Sequence, residues 1–359
     1  MTRSFDIAAA AVGPPDSAAL ADAVARQSRL TKPAGALGRL ESVGIQLCGI
    51  AGCCPPPRPV PAAVAVFAGD HGVLAEGVTP WPQEVTGQMV ANFVAGGAAI
   101  SVLARQAGAS LTVVDVGIAT DLSVLGLDGA PGLRRRRVRA GTGNLAVASA
   151  MTEEEARQAL DVGTETASEL VAGGARCLVT GEMGIGNTTP AAALIAALTG
   201  KPPAEVTGRG TGIDDSTLAR KVTVIERALV LHAAALADGP LAVLAAVGGL
   251  EIAALVGFII GGAAARVPVV VDGVIADAAL LVAASLVPDV VGFCIAGHQS
   301  AEPGAATALD HLGLQAVLDL GMRLGEGSGA CLALPIIEAS ARILGEMATF
   351  DSAGVTEKN

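Results

Sequence analysis

The stretch ARCLVTGEMGIGNTTPAAALIAAL, residues 175–198, joins two kinds of secondary structure within one short segment. Its first part, ARCLVT, is an apolar run of strand length, and its last part, AAALIAAL, is an alanine-rich run typical of a helix. Between them, GEMGIGNTTP contains three glycines, which is typical of a turn. The stretch therefore predicts a strand that ends at Thr180, a glycine loop, and a helix with Thr188 or Thr189 at its N-cap and Pro190 at its first position.

The glycine loop resembles the phosphate loop of nucleoside triphosphate-binding proteins without its lysine. The spacing Gly181-x4-Gly186 is nearly that of such a loop, but Asn187 stands where the lysine should be. Backbone amides at a helix N-terminus can hold an anion by themselves. We therefore expect a monophosphate ligand, with Glu182 facing any positive charge on the rest of that ligand. A purely structural glycine turn is the alternative that this motif leaves open.

Four further apolar, β-branched runs of strand length flank this stretch along the chain. They are AVAVFAG (63–69), LTVVDVG (111–117), VPVVVDG (267–273) and VVGFCIAG (290–297). Helical patterns lie between them at 85–108 and 152–174, and Thr152 and Glu155 form a capping box at the start of the second. This alternation predicts an α/β fold with a Rossmann-like parallel sheet covered by helices, and with ligands at the carboxyl ends of the strands.

The two ends of the chain have helical patterns without strands. We therefore predict a large α/β catalytic domain at residues 31–317 and a second, smaller helical domain formed by residues 1–30 and 318–359.

Composition excludes several classes of function. The net charge of −11 and the 2% of aromatic residues disfavour a nucleic-acid partner, so we expect the basic run Arg134 to Arg137 to be a solvated loop. The six cysteines lack Cys-x-x-Cys spacing and the four histidines are scattered, so we expect no metal, disulfide or cofactor.

We also expect a cytoplasmic protein without a membrane partner. The N-terminus lacks the pattern of a secretion signal. The apolar segment 240–265 is long enough to span a bilayer, but two glycine pairs divide it, and this favours a buried strand or turn followed by a buried helix.

Polar residues follow several of the predicted strands. Asp70 and His71, Asp272, and His298 each stand beside a glycine at a strand end, and Glu326 lies in the glycine-rich loop 325–329. Each one alone is compatible with a loop cap, a core histidine or an exposed acid. Their shared position at strand ends favours a common site.

Eight motifs, in order along nearly the whole chain, resemble the nicotinate-nucleotide:dimethylbenzimidazole phosphoribosyltransferase family of cobalamin biosynthesis. They are KPAGALGRLE (32–41), FAGDHGV (67–73), TPWPQEVTGQMVANF (79–93), GEMGIGNTTPAAAL (181–194), GRGTGIDD (208–215), VVVDGVIADAAL (269–280), GHQSAEPG (297–304) and LDLGMRLGEGSGA (318–330). The resemblance implies transfer of phosphoribose from nicotinate mononucleotide to 5,6-dimethylbenzimidazole. The products are α-ribazole 5′-phosphate and nicotinate, formed by a single inverting displacement. A monophosphate on a cationic pyridinium nucleotide also explains the missing lysine.

The resemblance also implies roles for individual residues. Glu326 would be the general base that accepts the imidazole proton of the acceptor. The substrate-binding residues would be Glu182 near the ribose, Gly184, Gly186, Asn187 and Thr188 around the phosphate, Lys221 approaching the phosphate, Pro80, Gln88 and Met89 at the acceptor, and Asp272. The family further implies a homodimer. Trp81 departs from the family pattern and leaves the preferred acceptor base open.

Two other functions remain alternatives. A transferase that uses phosphoribosyl pyrophosphate normally needs paired acidic residues after a strand, whereas VVVDG supplies one aspartate followed by glycine. A catalytically silent nucleotide-binding protein would not need a carboxylate in the position of Glu326.

Overall fold

The computed structural model describes residues 3–356 and contains a six-stranded sheet whose strand pairs are all parallel. The strand order is β3-β2-β1-β4-β5-β6. The strands are β1 (Ala62–Gly69), β2 (Ser110–Gly117), β3 (Leu133–Arg135), β4 (Cys177–Met183), β5 (Val269–Val271) and β6 (Cys294–Ala296). The predicted α/β class and parallel sheet are therefore confirmed.

Helices cover the sheet, and short 3-10 segments lie at Gly72–Glu76 and Pro288–Phe293. The helices of the described residues are α1 (Ser4–Ala11), α2 (Ser17–Arg29), α3 (Arg39–Ala51), α4 (Glu84–Ala95), α5 (Ala99–Ala107), α6 (Glu153–Ala172), α7 (Thr188–Thr199), α8 (Pro203–Val206), α9 (Asp215–Leu231), α10 (Ala233–Asp238), α11 (Pro240–Val247), α12 (Leu250–Ala264), α13 (Val274–Leu286), α14 (Pro303–Leu312), α15 (Ser328–Glu346) and α16 (Phe350–Ala353).

The central strands are buried on both faces, as their continuous apolar sequences predict. All eight residues of β1 are buried, and β1 pairs with β2 on one side and β4 on the other. Strands β5 and β6 have three residues each and are shorter than their apolar runs. The run before β6 instead forms the 3-10 segment that begins at Pro288.

The basic run departs from its prediction as a loop. Arg134 and Arg135 belong to the edge strand β3, which pairs with β2. Arg134 and Arg136 form ion pairs with Glu169 of α6, and Arg137 pairs with Asp115 at the end of β2. The loop prediction was wrong for Arg134 and Arg135 because the basic run alone does not show that the acidic face of α6 lies beside it.

Glycines decide where the predicted helical patterns begin and end. The pattern at 85–108 forms two helices, because Gly96 adopts a φ of 79° at the end of α4. The capping box at α6 is confirmed, since the amide of Glu155 donates to the Thr152 hydroxyl at 3.1 Å. Gly248 and Gly249 separate the buried helices α11 and α12, as predicted. Gly261 and Gly262 instead lie inside α12, and the part before Gly248 is a helix and not the predicted strand or turn.

Two helical segments are long and apolar enough to cross a membrane by composition alone, and neither is the segment 240–265. They are Glu84–Ala107 and Ser328–Glu346, with 39% and 56% of their most apolar windows buried in the fold. The first contains the break at Gly96. Core helices of soluble proteins often have the same composition, so these segments are weak evidence for membrane insertion.

The N-terminal and C-terminal segments meet in the fold. Leu30 forms an antiparallel bridge with Thr349, and the Arg26 guanidinium donates to the carbonyl of Leu344. Helix α1 instead packs on α6 and α12, and the Phe5 amide donates to Asp161 at 2.9 Å. The division into a large domain at 31–317 and a small one from the two ends stays a prediction.

Candidate active site

A cavity of about 400 Å³ lies at the carboxyl ends of β4, β5 and β6. The chain passes from β1 to β2 and β3 in one direction and then returns to build β4, β5 and β6 on the other side of β1. In open α/β sheets this reversal creates a crevice where ligands bind. Strand-end side chains and two glycine loops converge on the cavity.

The first glycine loop connects β4 to α7 and is held close to the sheet. A Cβ added at Gly184 would lie 2.4 Å from the carbonyl oxygen of Gly69, and Gly186 has a φ of 87°. Both positions therefore require glycine. The backbone of this loop lies along the cavity wall.

Helix α7 begins earlier than its sequence predicts. It starts at Thr188, so Pro190 is its third residue, and no side chain of the described residues caps its N-terminus. Asn187 precedes the helix and donates from its side chain to Glu182 Oε2. The threonine cap was wrong because Thr188 makes a different contact. Its hydroxyl accepts a hydrogen bond from Lys221 Nζ at 2.7 Å.

Lys221 places a buried amine beside the start of α7. Its side chain is 1% exposed, and Nζ also donates to the carbonyl of Gly208 at 3.3 Å. Burial lowers the pKa of Lys221 to about 8, although the nearby Glu302 carboxylate opposes the shift. The amine and the uncapped N-terminus of α7 together favour an anion at this end of the cavity.

Glu326 lies in the second glycine loop in a conformation that few glutamates adopt. Its φ is 66°, between Gly325 at 82° and Gly327 at 91°. The residue is 6% exposed and lines the cavity, and its Oε2 has no hydrogen-bond partner in the described residues. Burial raises the pKa of this carboxyl, while the amide of Ile100 opposes the shift. The strained backbone and unpaired oxygen indicate a functional carboxylate.

Glu182, at the end of β4, connects the two glycine loops. Its Oε1 accepts the backbone amide of Glu326 at 3.3 Å, and its Oε2 accepts the Asn187 amide. Burial raises the pKa of Glu182 to about 8, the hydrogen bond from Asn187 lowers it, and the nearby Asp272 carboxylate raises it further. A cation in the cavity would favour the ionised form of this carboxyl.

Asp272, at the end of β5, anchors the start of α15. Its Oδ2 accepts the amide of Gly327 at 3.2 Å and its Oδ1 accepts that of Ala330 at 2.9 Å. Burial raises the pKa of Asp272, and the neighbouring His298 and the backbone amides oppose the shift. Asp272 therefore fixes the loop that carries Glu326, in addition to lining the cavity.

A buried pair, His71 and Glu251, packs against the first glycine loop. His71 and Glu251 share a hydrogen bond of 2.7 Å, and both side chains are almost fully buried. A Cβ at Gly184 would lie 3.0 Å from His71 Nε2, so the pair packs directly against the loop. Burial lowers the pKa of His71, but the charge and hydrogen bond of Glu251, together with the charges of Asp70 and Glu182, raise it overall.

The structure places most of the predicted site residues around one cavity. The residues that line it are Glu182, Gly184, Gly186, Asn187, Thr188, Lys221, Asp272, Glu326 and Met89. Pro80 and Gln88 are exposed and lie outside this lining, so their contact with an acceptor stays a prediction. Trp81 lines the cavity and is 49% exposed.

His298, which the sequence analysis placed in a common strand-end site, also lines the cavity. The structure adds lining residues that had no individual role in the prediction, namely Ser300, Glu302, Arg209 and Arg323. Glu302 accepts the amide of Gly210 at 2.8 Å, and Arg323 donates to the Gly210 carbonyl. The available signals were the glycine-rich GRGTG motif for Arg209 and the motifs GHQSAEPG and LDLGMRLGEGSGA, which contain Glu302 and Arg323.

A second, more open cleft of about 740 Å³ lies away from this site. It is lined largely by alanines of α10 and α11, with Arg139, Glu153 and Asp238 at its margin. It contains none of the strand-end carboxylates or glycine loops. We therefore assign the candidate active site to the smaller cavity.

The sequence and the structure of this chain are similar to those of known proteins. The family described as phosphoribosyltransferase matches residues 12–355. A nicotinate-nucleotide:dimethylbenzimidazole phosphoribosyltransferase of Salinispora tropica is 58% identical, over 97% of this chain and 98% of that protein. One from Chloroflexus aggregans is 54% identical, over 97% and 96%. A crystal structure of the Thermus thermophilus protein of that name is 47% identical, with a TM-score of 0.89 over 96% of this chain and 100% of that chain.

Proposed function

Because the chain belongs to the nicotinate-nucleotide:dimethylbenzimidazole phosphoribosyltransferase family and is a pentosyltransferase, we propose that it transfers phosphoribose from nicotinate mononucleotide to 5,6-dimethylbenzimidazole. The products are α-ribazole 5′-phosphate and nicotinate. This reaction supplies the base and ribose of the nucleotide loop of cobalamin. We include in the proposal a cytoplasmic homodimer that acts without a metal or cofactor.

The observation that carries this proposal is the Glu326 carboxylate. It is buried against the cavity, and Oε2 lacks a partner within residues 3–356. A benzimidazole that presents its ring N–H to this oxygen would complete the missing hydrogen bond. The same contact prepares the carboxylate to accept that proton.

The chemical step is a single displacement at the anomeric carbon. The unprotonated ring nitrogen of the acceptor forms a bond to C1′ while the bond from C1′ to the pyridinium nitrogen breaks. The bonding electrons pass to the pyridine nitrogen, so nicotinate leaves with a neutral ring and needs no acid. Positive charge develops on the benzimidazole, and Glu326 removes its other N–H proton. Attack opposite to the leaving group converts the β anomer into the α anomer.

The phosphate-binding role follows from the other end of the cavity. The start of α7 has no side-chain cap, and Lys221 Nζ lies within 2.7 Å of Thr188 Oγ1. A monophosphate at this helix end would accept hydrogen bonds from backbone amides and gain charge stabilisation from the amine. Glu182, between this end and Glu326, would then face the cationic half of the nucleotide.

The cavity lining also contains the apolar residues Val78, Val85, Met89 and Trp81, and we assign the acceptor to this part of the wall. Such a surface suits a flat methylated ring, and one missing methyl group should cost only about 1–3 kcal/mol of transition-state binding. Unsubstituted benzimidazole should therefore remain a substrate with reduced kcat/KM.

The test is incubation of the purified protein with nicotinate mononucleotide and dimethylbenzimidazole, with products identified by mass. We expect nicotinate and a ribazole phosphate in equal amounts. The control acceptor is 1-methylbenzimidazole, which lacks the proton that Glu326 accepts and should react far more slowly. No transfer to the parent base would contradict the function, and equal rates for the two bases would contradict the role of Glu326.

A further inference from the structure

His298 is a cavity residue whose hydrogen-bonding groups are unused. It follows β6, is 2% exposed, and lines the same cavity as Glu326. Neither ring nitrogen has a hydrogen-bond partner in the described part of the chain. A buried imidazole normally satisfies at least one nitrogen, so these atoms require an explanation.

The ring is fixed tightly by its neighbours. A Cβ added at Gly329 would lie 2.0 Å from His298 Cδ2, and one at Gly273 would lie 3.3 Å from Nε2. The imidazole is therefore held between the start of α13 and the first turn of α15. The nearest carboxylate is that of Asp272, whose Oδ1 lies 3.6 Å from His298 Nε2, beyond hydrogen-bond distance.

Three polar side chains lie next to one another at the ends of adjacent strands. Glu182 belongs to β4, Asp272 follows β5, and His298 follows β6, and these strands are consecutive in the sheet. The carboxylates can accept hydrogen bonds from hydroxyl groups, and the imidazole can donate one to a hydroxyl oxygen. Acidic side chains near strand ends bind ribose hydroxyls in other α/β folds.

We propose that His298, together with Asp272, binds a hydroxyl group of the ribose that is transferred. This inference rests on the proposed function and assigns a specificity-determining contact within its site. The imidazole N–H donates to the hydroxyl oxygen, and the hydroxyl proton turns to the Asp272 carboxylate, so one hydroxyl contacts both side chains. A substrate without this hydroxyl leaves the imidazole buried and unpaired.

The test compares nicotinate mononucleotide with its 2′-deoxy and 3′-deoxy analogues at fixed dimethylbenzimidazole. For the wild-type protein we expect one analogue to lose about 10-fold or more in kcat/KM, because a site built to bind a hydroxyl rejects the analogue that lacks it. In His298→Phe, kcat/KM for the parent substrate should fall, and the penalty for that analogue should shrink to about 3-fold or less.

A second variant and a control separate binding from packing. His298→Asn keeps a hydrogen-bond donor on a smaller side chain, so it should discriminate better than His298→Phe between the parent substrate and the deoxy analogue. It also serves as the test if the phenyl ring prevents folding. His232 is the matched control, since it is a buried histidine whose Nε2 contacts the Leu145 carbonyl at 2.9 Å, outside the cavity. His232→Gln should leave the penalties unchanged.

The proposal is overturned if the wild-type protein shows no penalty with either analogue, or if both His298 variants keep the wild-type penalties. Failure of the proposed function is recognised separately, by absence of any turnover of the parent substrates. In that case, calorimetric titration with ribose 5-phosphate and its 2-deoxy and 3-deoxy analogues tests His298 by itself. Equal loss of affinity for all three sugars in His298→Phe would then overturn the proposal.

Discussion

Glu326 combines three features that a structural glutamate does not need together. Its backbone lies in the left-handed region, its carboxyl is buried, and one carboxyl oxygen has no partner in residues 3–356. Each feature has a cost in folding free energy. The flanking glycines and the anchor at Asp272 offset that cost by fixing the loop.

Replacing Glu326 by glutamine tests its role as a base. The amide keeps the size of the side chain but cannot accept the proton, so kcat should fall by about 100- to 10,000-fold. Thermal unfolding and calorimetric titration of nicotinate mononucleotide should show that fold and nucleotide binding remain. Glu346→Gln on the exposed end of α15 is the control and should keep wild-type kcat. Near wild-type turnover in Glu326→Gln would remove this residue from the mechanism.

Glu182 gives a prediction about pH and stability. Its pKa is about 8 in the folded protein against an ordinary value of 4.5, so its contribution to stability is complete below pH 4.5 and is lost as the pH rises to about 8. Glutamine cannot ionise and does not lose this contribution. The melting temperature of Glu182→Gln relative to the wild type should therefore be higher at pH 8 than at pH 5, measured without ligand. A difference in melting temperature between variant and wild type that stays constant with pH would contradict the raised pKa of Glu182.

A role for Glu326 could be proposed from its motif, whereas the contacts of its neighbours could not be foreseen. Asp272 contacts the amide of Gly327, which lies 55 residues away in sequence, so no local pattern reveals that it anchors this loop. Gln88 and Met89 are adjacent on α4, and one step along a helix turns a side chain by about 100°. Met89 lines the cavity and Gln88 is exposed, a distinction that depends on how α4 packs.

Helix α7 and its loop carry the proposed phosphate site. The loop approaches Gly69 so closely that a side chain at Gly184 would collide with backbone, and Gly186 has a positive φ. The first turn of α7 keeps its amides free of side-chain caps. The sequence predicted the strand, loop and helix, but it misplaced the first helical residue because the contact of Thr188 with Lys221 is a tertiary one.

Gly186→Val should weaken binding of nicotinate mononucleotide far more than binding of the free base. A Cβ here would lie 2.9 Å from the Leu74 side chain, and valine disfavours the φ of 87°. The loop amides would then be displaced from the phosphate. The control is Gly200→Val at the other end of α7, where φ is 71° and no atom lies within 4 Å of the added Cβ. Calorimetric titration measures the affinity for nicotinate mononucleotide and for the free base. Equal losses of affinity for the two ligands would indicate general misfolding.

The whole molecule depends on close packing of helices around the sheet. On α6, a Cβ at Gly163 would lie 1.8 Å from the carbonyl oxygen of Ala254 on α12, and one at Gly257 of α12 would lie 2.0 Å from that of Leu160. The two helices therefore meet backbone to backbone. Which glycines lie at this contact depends on the faces that the two helices pair, so the sequence alone does not identify them.

Gly163→Ala should destabilise the protein by more than the usual cost of an added methyl group. Overpacking of a core typically costs about 1–3 kcal/mol, and here backbone atoms must move. Chemical denaturation measures the change in unfolding free energy. Gly13→Ala is the control, because no atom lies within 4 Å of its added Cβ. A change at Gly163 no larger than that at Gly13 would contradict this packing.

The proposed function includes a single inverting displacement, and the anomeric configuration of the product tests this step most directly. The purified protein is incubated with β-nicotinate mononucleotide and dimethylbenzimidazole, and the riboside phosphate is analysed by NMR. We predict the α anomer alone, because Glu326 directs the acceptor to the face opposite the leaving pyridine. A β-configured product, or release of ribose 5-phosphate without a riboside, would contradict the mechanism.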